Sequence, residues 1–119
     1  MPDLAFLQHE LGGLERFLAE AAHPTDTKWT ITHALVFGTD AFRKAATADL
    51  EAHGLVAQLE QYFEGCERPF WVAIAEPVPP LVVAIERRIE RVLAAVELYS
   101  GQYESFRLGG DRGEQFPPR

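Results

Sequence analysis

The sequence predicts an α+β sandwich, a four-stranded antiparallel sheet with helices on one face, and three observations carry that expectation. Apolar residues recur at spacings of three and four in three stretches, beginning near Leu4, Phe42 and Val82, which is the period of a half-buried helix. Four other stretches alternate with a period of two, as strands do. Glycine, proline and capping residues fall between the two kinds of stretch, where the chain has to turn.

The elements follow in order. Leu4, Leu7, Leu11, Leu14, Leu18 and Ala21, flanked by Phe6 and Phe17, make one helical stripe over about residues 3–22, with Asp3 as its cap and His23-Pro24 as its stop. Gly12-Gly13 lowers helix propensity in its middle by about 1 kcal/mol per glycine relative to alanine, so the helix is expected to begin near Leu14 or to bend there. Lys28 to Phe37 reads as a strand apolar enough on both faces to be central. Gly38-Thr39-Asp40 turns the chain and caps a helix that runs to about His53, and Gly54 sits where a left-handed residue closes a helix. Its modest inward face is expected from Phe42, Ala45, Ala46, Asp49 and Leu50. Leu55 to Phe63 alternates again, with Leu55, Ala57, Leu59, Gln61 and Phe63 on one side, and Glu64 to Arg68 forms the turn into Pro69 to Glu76. Pro77, Pro79 and Pro80 are expected to break that strand and open the next helix, whose stripe is Val82, Ile85, Ile89, Val92, Leu93 and Val96 with Glu86 to Arg91 outward. Ser100-Gly101 ends it, and Gln102 to Leu108 supplies the last strand.

Without the leading helix this order is βαββαβ, the ferredoxin-like sandwich, and right-handed crossovers place its first and third strands in the middle of the sheet. A single domain is expected over residues 1–109, followed by a flexible tail over 110–119.

Composition narrows the function. The 119 residues are 47% hydrophobic, enough for a core, and carry a formal net charge of −7. That acidity is confined to two segments. Asp3, Glu10, Glu15 and Glu20 against Arg16 give a net −3 over residues 1–23, and Glu51, Glu60, Glu64, Glu67 and Glu76 against Arg68 give −4 over 51–77. Acid there opposes a phosphate-binding surface, which needs clustered Lys and Arg. An RNA-stacking platform of Trp71 with Tyr103 or Phe106, which the βαββαβ layout would allow, is outweighed by the same charge. No membrane-length apolar run and no basic, apolar leader is evident, so the cytoplasm is the expected location.

Catalytic patterns are sparse. Cys66 is the sole cysteine, which excludes an internal disulfide and a Cys-cluster metal site. His9, His23, His33 and His53 have no metal-ligand spacing, so neither a metal nor another cofactor is expected. No phosphate loop, nucleophile elbow or zinc-protease motif occurs. His33 interrupts the apolar face of the central strand, and two readings stay open for it: a ligand or proton carrier, or a buried histidine satisfied by hydrogen bonds.

Three stretches resemble the RraB family, the regulators of ribonuclease activity that bind ribonuclease E and restrain it. Leu14 to Ala22 with His23-Pro24-Thr25-Asp26 resembles the family's leading helix and turn. Lys28 to Leu35, running through the Asp40 to Gly54 helix into Leu55-Val56, resembles its first strand, helix and second strand. Leu93 to Phe106 resembles its closing helix and the Gly-x-Tyr-Asp-Gly-Trp signature, with Glu104-Ser105-Phe106 standing where the family has Asp-Gly-Trp. The resemblance implies a non-enzymatic, protein-binding regulator of RNA decay whose partner is a ribonuclease E-type endoribonuclease. On that reading Glu60, Glu64, Glu67 and Glu76 present acid to a basic surface, and Trp71 with the Tyr103-Glu104-Phe106 strand supplies an aromatic anchor. A ligand-binding or catalytic ferredoxin-like dimer with a cleft at His33 is the rival expectation. A homodimer through the sheet face around Trp71 and Ala73 is a third.

Overall fold

The computed structural model describes residues 5–22, 26, 28–110 and 112–117, with side chains from residue 12 onward. The expected cap Asp3, the stop at His23-Pro24 and the side chains of Leu4, Phe6, Leu7, His9 and Leu11 lie outside the described residues. The elements are α1 (Ala5–Ala21), β1 (Trp29–Phe37), α2 (Asp40–Glu51), β2 (Val56–Tyr62), β3 (Phe70–Val78), α3 (Val82–Leu98), β4 (Gln102–Gly109) and β5 (Gln115–Phe116). They form an α+β fold with one antiparallel sheet in the order β2-β3-β1-β4-β5.

Local chemistry sets the boundaries. Thr39 Oγ1 accepts the Phe42 amide and caps α2, and Gly54 takes φ 93 beyond its end, where a side chain would be strained. After α3 the left-handed residue is Ser100, at φ 56, and the Gly101 amide reaches back to the Val96 carbonyl. α1 runs unbroken through Gly12-Gly13.

The inward face of β1 carries Trp29, Ile31, His33, Leu35 and Phe37, all at most 1% exposed. Against them pack Ile85, Ile89, Val92 and Val96 of α3, Ala46 and Leu50 of α2, and Leu14 and Leu18 of α1. Phe42 is 42% exposed and outside this core, so the inward face of α2 is narrower than its sequence pattern.

Two irregularities shift strand parity. In β4 the register slips opposite Ala34 and Leu35, making Glu104 an extra residue, so that Tyr103, Phe106 and Leu108 all point inward although their numbers differ in parity. In β2 a slip between Ala57 and Leu59 leaves Ala57 against the core and puts Leu59 on the opposite face, 49% exposed. A single alternation from Leu55 to Phe63 is therefore corrected by that bulge. β3 continues through Pro77 instead of ending at Glu76, because β2 pairs with it only as far as Ala75, and a missing amide beyond that point costs no bond to β2.

The sheet has five strands rather than four, and the segment expected to be a flexible tail supplies the fifth. Leu108 and Gly109 pair with Phe116 and Gln115. Phe116 is buried, its ring 5.3 Å from that of Phe17 and 6.0 Å from that of Phe106. Arg112 binds both carboxylate oxygens of Asp26, at 2.8 and 2.9 Å, and donates to the Ala21 carbonyl at the end of α1. The C-terminal segment thus clamps the leading helix onto the domain.

Two stability outcomes follow. Phe116→Ala should lower unfolding free energy by about 3 kcal/mol, the usual cost of removing a buried phenyl ring, read as a fall in the urea midpoint. Gly101→Ala should cost about 1–3 kcal/mol through overpacking, because a Cβ there would stand 2.5 Å from the Phe37 ring and 2.9 Å from the Val36 carbonyl oxygen. An unchanged midpoint in either variant would refute the packing described.

Candidate functional site

Two regions concentrate polar or exposed chemistry, one inside the molecule and one at the end of a hairpin. The inner one begins at His33, which is fully buried on the inward face of β1. Its Nε2 lies 3.0 Å from Glu76 Oε2 on β3, and its Nδ1 lies 2.6 Å from the Tyr103 hydroxyl on β4. Glu76 Oε1 in turn accepts a short hydrogen bond from Arg91 Nη2 and lies 3.2 Å from Arg88 Nε, an ion pair without hydrogen-bond alignment, both arginines being on α3. One chain of polar groups therefore ties three neighbouring strands to the helix above them.

Protonation follows from this geometry. Burial holds the His33 imidazole below its ordinary value of 6.5, although Glu76 pulls the other way, so His33 is neutral at pH 7. A carboxylate only accepts, which assigns the single ring proton to Nε2, donated to Glu76. Nδ1 then accepts the Tyr103 O–H. Burial and the Glu76 charge push the Tyr103 phenol well above 10, so it keeps the proton it donates. Burial alone would raise the Glu76 carboxyl, but the His33 hydrogen bond and Arg91 outweigh it and hold it below its ordinary value. Both ring nitrogens of His33 are satisfied and the ring has no exposed surface, which is the buried, hydrogen-bonded arrangement rather than a ligand in an open cleft.

The outer region is the tip of the β2–β3 hairpin. Glu64 and Glu67 are exposed there, as is Cys66, and Glu60 is exposed within β2, two residues before its end. Tyr62 is 59% and Phe63 46% exposed beside them. Tyr62 packs on Phe70 on the helix side, and Phe63 meets Trp71 edge-on at 6.4 Å on the other. Arg43 of α2 steadies the base of the hairpin, donating to the Gln61 carbonyl, lying 3.7 Å from Glu60 and covering the Phe70 ring at 5.2 Å.

The structure divides the residues singled out in the sequence. Glu60, Glu64 and Glu67 share the hairpin surface, and Trp71 and Glu104 lie on the sheet face away from the helices. Glu76 is inside, paired with arginines, and is corrected from a partner-facing acid to a structural one. Tyr103 and Phe106, 7% and 4% exposed, face the core because of the Glu104 bulge, so they form neither an aromatic anchor for a partner nor a stacking platform with Trp71. The Glu76 pairing had a signal in the sequence. Glu76 keeps the parity of inward Val72 and Ile74, and Arg88 and Arg91 stand one turn apart on α3. Exposed Tyr62 and Phe63 were hidden within a pattern that also fits a half-buried strand.

Among the described residues no group of His, Cys, Asp and Glu is placed to hold a metal ion, and no helix is long and apolar enough to cross a membrane. The chain matches no protein-family model, and no curated protein matches it.

The inner chain sets a pH dependence. His33 has a lowered value in the fold, so below about 6.5 the unfolded chain binds a proton that the folded one refuses, and stability falls as pH falls. Glu76 is lowered too, so its contribution is present above about 4.5 and is lost as pH drops toward its folded value. The urea midpoint should therefore decline from pH 7 to pH 5, and His33→Leu should flatten that decline. An equal slope in both proteins would contradict the assignment.

Proposed function

We propose that this protein is a non-enzymatic binding module of the cytoplasm, built on a ferredoxin-like four-strand core, that engages a basic surface of a protein partner through the tip of the β2–β3 hairpin. The observation that carries the reading is the juxtaposition of three exposed acids, Glu60, Glu64 and Glu67, with the exposed rings of Tyr62 and Phe63. Acids steer a basic partner and set the association rate, whereas aromatic rings that become buried on contact set the dissociation rate. The order β2-β3-β1-β4 of the first four strands supports the ferredoxin-like core. The resemblance to the RraB family supports a ribonuclease E-type endoribonuclease as the partner, with RNA decay restrained when the hairpin occupies a basic, RNA-binding surface. An enzymatic role centred on His33 has less support, since its ring is sealed and fully bonded.

The test is a pull-down of the basic C-terminal region of such a ribonuclease at low salt, with surface plasmon resonance on the complex. Lysine at Glu60, Glu64 and Glu67 together should slow association at least about tenfold and abolish its salt dependence. Tyr62→Ala should instead speed dissociation. Absence of binding at low salt would remove the ribonuclease as partner, and binding indifferent to the triple reversal would remove the hairpin as its surface.

A further inference from the structure

The sheet face turned away from the helices is not the polar surface that a solvated antiparallel sheet ordinarily presents. Ala34 and Val36 of β1 and Ala73 and Ala75 of β3 line its middle, with Trp71 beside them. Val56 and Leu59 of β2 extend it, 57% and 49% exposed. A hollow of about 400 Å³ opens between Trp71 on one side and Glu104 and Arg107 on the other. Val36, Ala73 and Ala75 form a floor only 6–8% exposed, and the accessible apolar surface stands around it on Val56, Leu59 and, in part, Trp71 and Ala34. Accessible apolar surface with a polar margin is the mark of an interface.

The strand register gives this face two unlike ends. Toward one end Val36 stands between Trp71 and Gln102, with the bulge residue Glu104 on the same side of the central Ser105. Toward the other, Thr32 stands between Ala75 and Arg107. Large side chains and an acid occupy one half, and small side chains and a base the other. Neither Glu104 nor Arg107 makes a hydrogen bond or an ion pair among the described residues.

We propose that this face is a homodimer interface in which a second copy of the chain stacks sheet on sheet. The two-fold axis lies between the sheets and crosses the strands at the Ala73-Ala34-Ser105 row. That rotation exchanges the two ends. Trp71 of each copy is carried over Ala75 of the other, Val36 over Thr32 and Gln102 over Arg107, and Glu104, next to the axis, comes beside that Arg107. Each contact occurs twice, as an isologous interface requires, and face-to-face sheets pack in this aligned manner with an offset of about 30°. The area is adequate. A nine-residue β1 spans roughly 30 Å and four strands about 19 Å, so the face offers roughly 600 Å² before side-chain relief is counted. Two such faces together bury about 1,200 Å², the lower limit for a stable specific interface. Glu60, Glu64 and Glu67 take no part in this interface.

Sedimentation equilibrium of the full chain tests it, over about 1–100 μM, where an obligate or moderately tight homodimer reveals itself by concentration dependence. The wild type should show the dimer mass. Glu104→Arg and Arg107→Glu, each placing like charges face to face, should weaken association at least tenfold while circular dichroism stays unchanged. Mixing the two variants, or combining them in one chain, should restore the dimer, because acid then meets base again across the axis. Glu64→Lys should leave the dimer intact. A monomer throughout, a dimer indifferent to both reversals, or reversals that neither mixing nor combination rescues would each overturn the proposal.

Discussion

The buried carboxylate of Glu76 is the constraint on which the rest of the structure depends. It sits on β3 opposite Ile31 of β1, and its oxygens are shared among His33, Arg88 and Arg91. Moving an ionised carboxylate out of water costs several kcal/mol, and only close, well-aligned partners offset that. A one-residue slip of β3 would turn Glu76 to the far face and Trp71 or Ala73 inward, leaving His33 and two arginines without their acceptor. The pairing therefore fixes three things together: the register of β3 on β1, the rotation of α3 above them, and, through His33, the Tyr103 end of β4. Apolar packing alone would tolerate near alternatives, since Val, Ile and Leu exchange places at small cost. A polar chain with directional bonds does not.

The bulges do the complementary work on the edges of that core. The extra residue at Glu104 lets β4 turn Tyr103 to His33 at one point and Phe106 and Leu108 into the apolar layer at the next. It also places a charge on the opposite face. The slip in β2 expels Leu59 from the helix side. It also bends the free edge of the sheet, where an unpaired ladder would otherwise invite another strand. In each strand one inserted residue decides both what the core contains and what the surface offers.

Charge is distributed accordingly. Glu76, the most central of the hairpin acids, is neutralised internally, so the outward acidity of the β2–β3 unit rests on Glu64 and Glu67 at its tip and on Glu60 of β2, which Arg43 faces at 3.7 Å. At the other end of the chain, Arg112 satisfies Asp26 and Glu114 and closes the C-terminal segment over α1. The acid tip, the apolar open face and the clamped helix are thus three separate surfaces, each produced by a different long-range contact.

The sequence by itself determined the order and type of the seven elements from α1 to β4. The Thr39 cap, the Gly54 stop, the Val82 to Val96 stripe and the alternation of β1 all depend on neighbours within one or two turns, and such local preferences are written where they act. Tertiary structure decided what those elements share. Whether Phe116 makes a fifth strand depends on Phe17 and Phe106 waiting at the sheet edge, and a two-residue strand among glycines and prolines has no period to announce it. The parity of Tyr103 against Phe106 depends on a bulge that β1 imposes from 70 residues away, the separation of His33 from Tyr103. The role of Glu76 depends on two arginines that its own strand never meets until α3 crosses the sheet. Periodicity records which face a residue can take, but the energy that selects the face resides in partners distant along the chain.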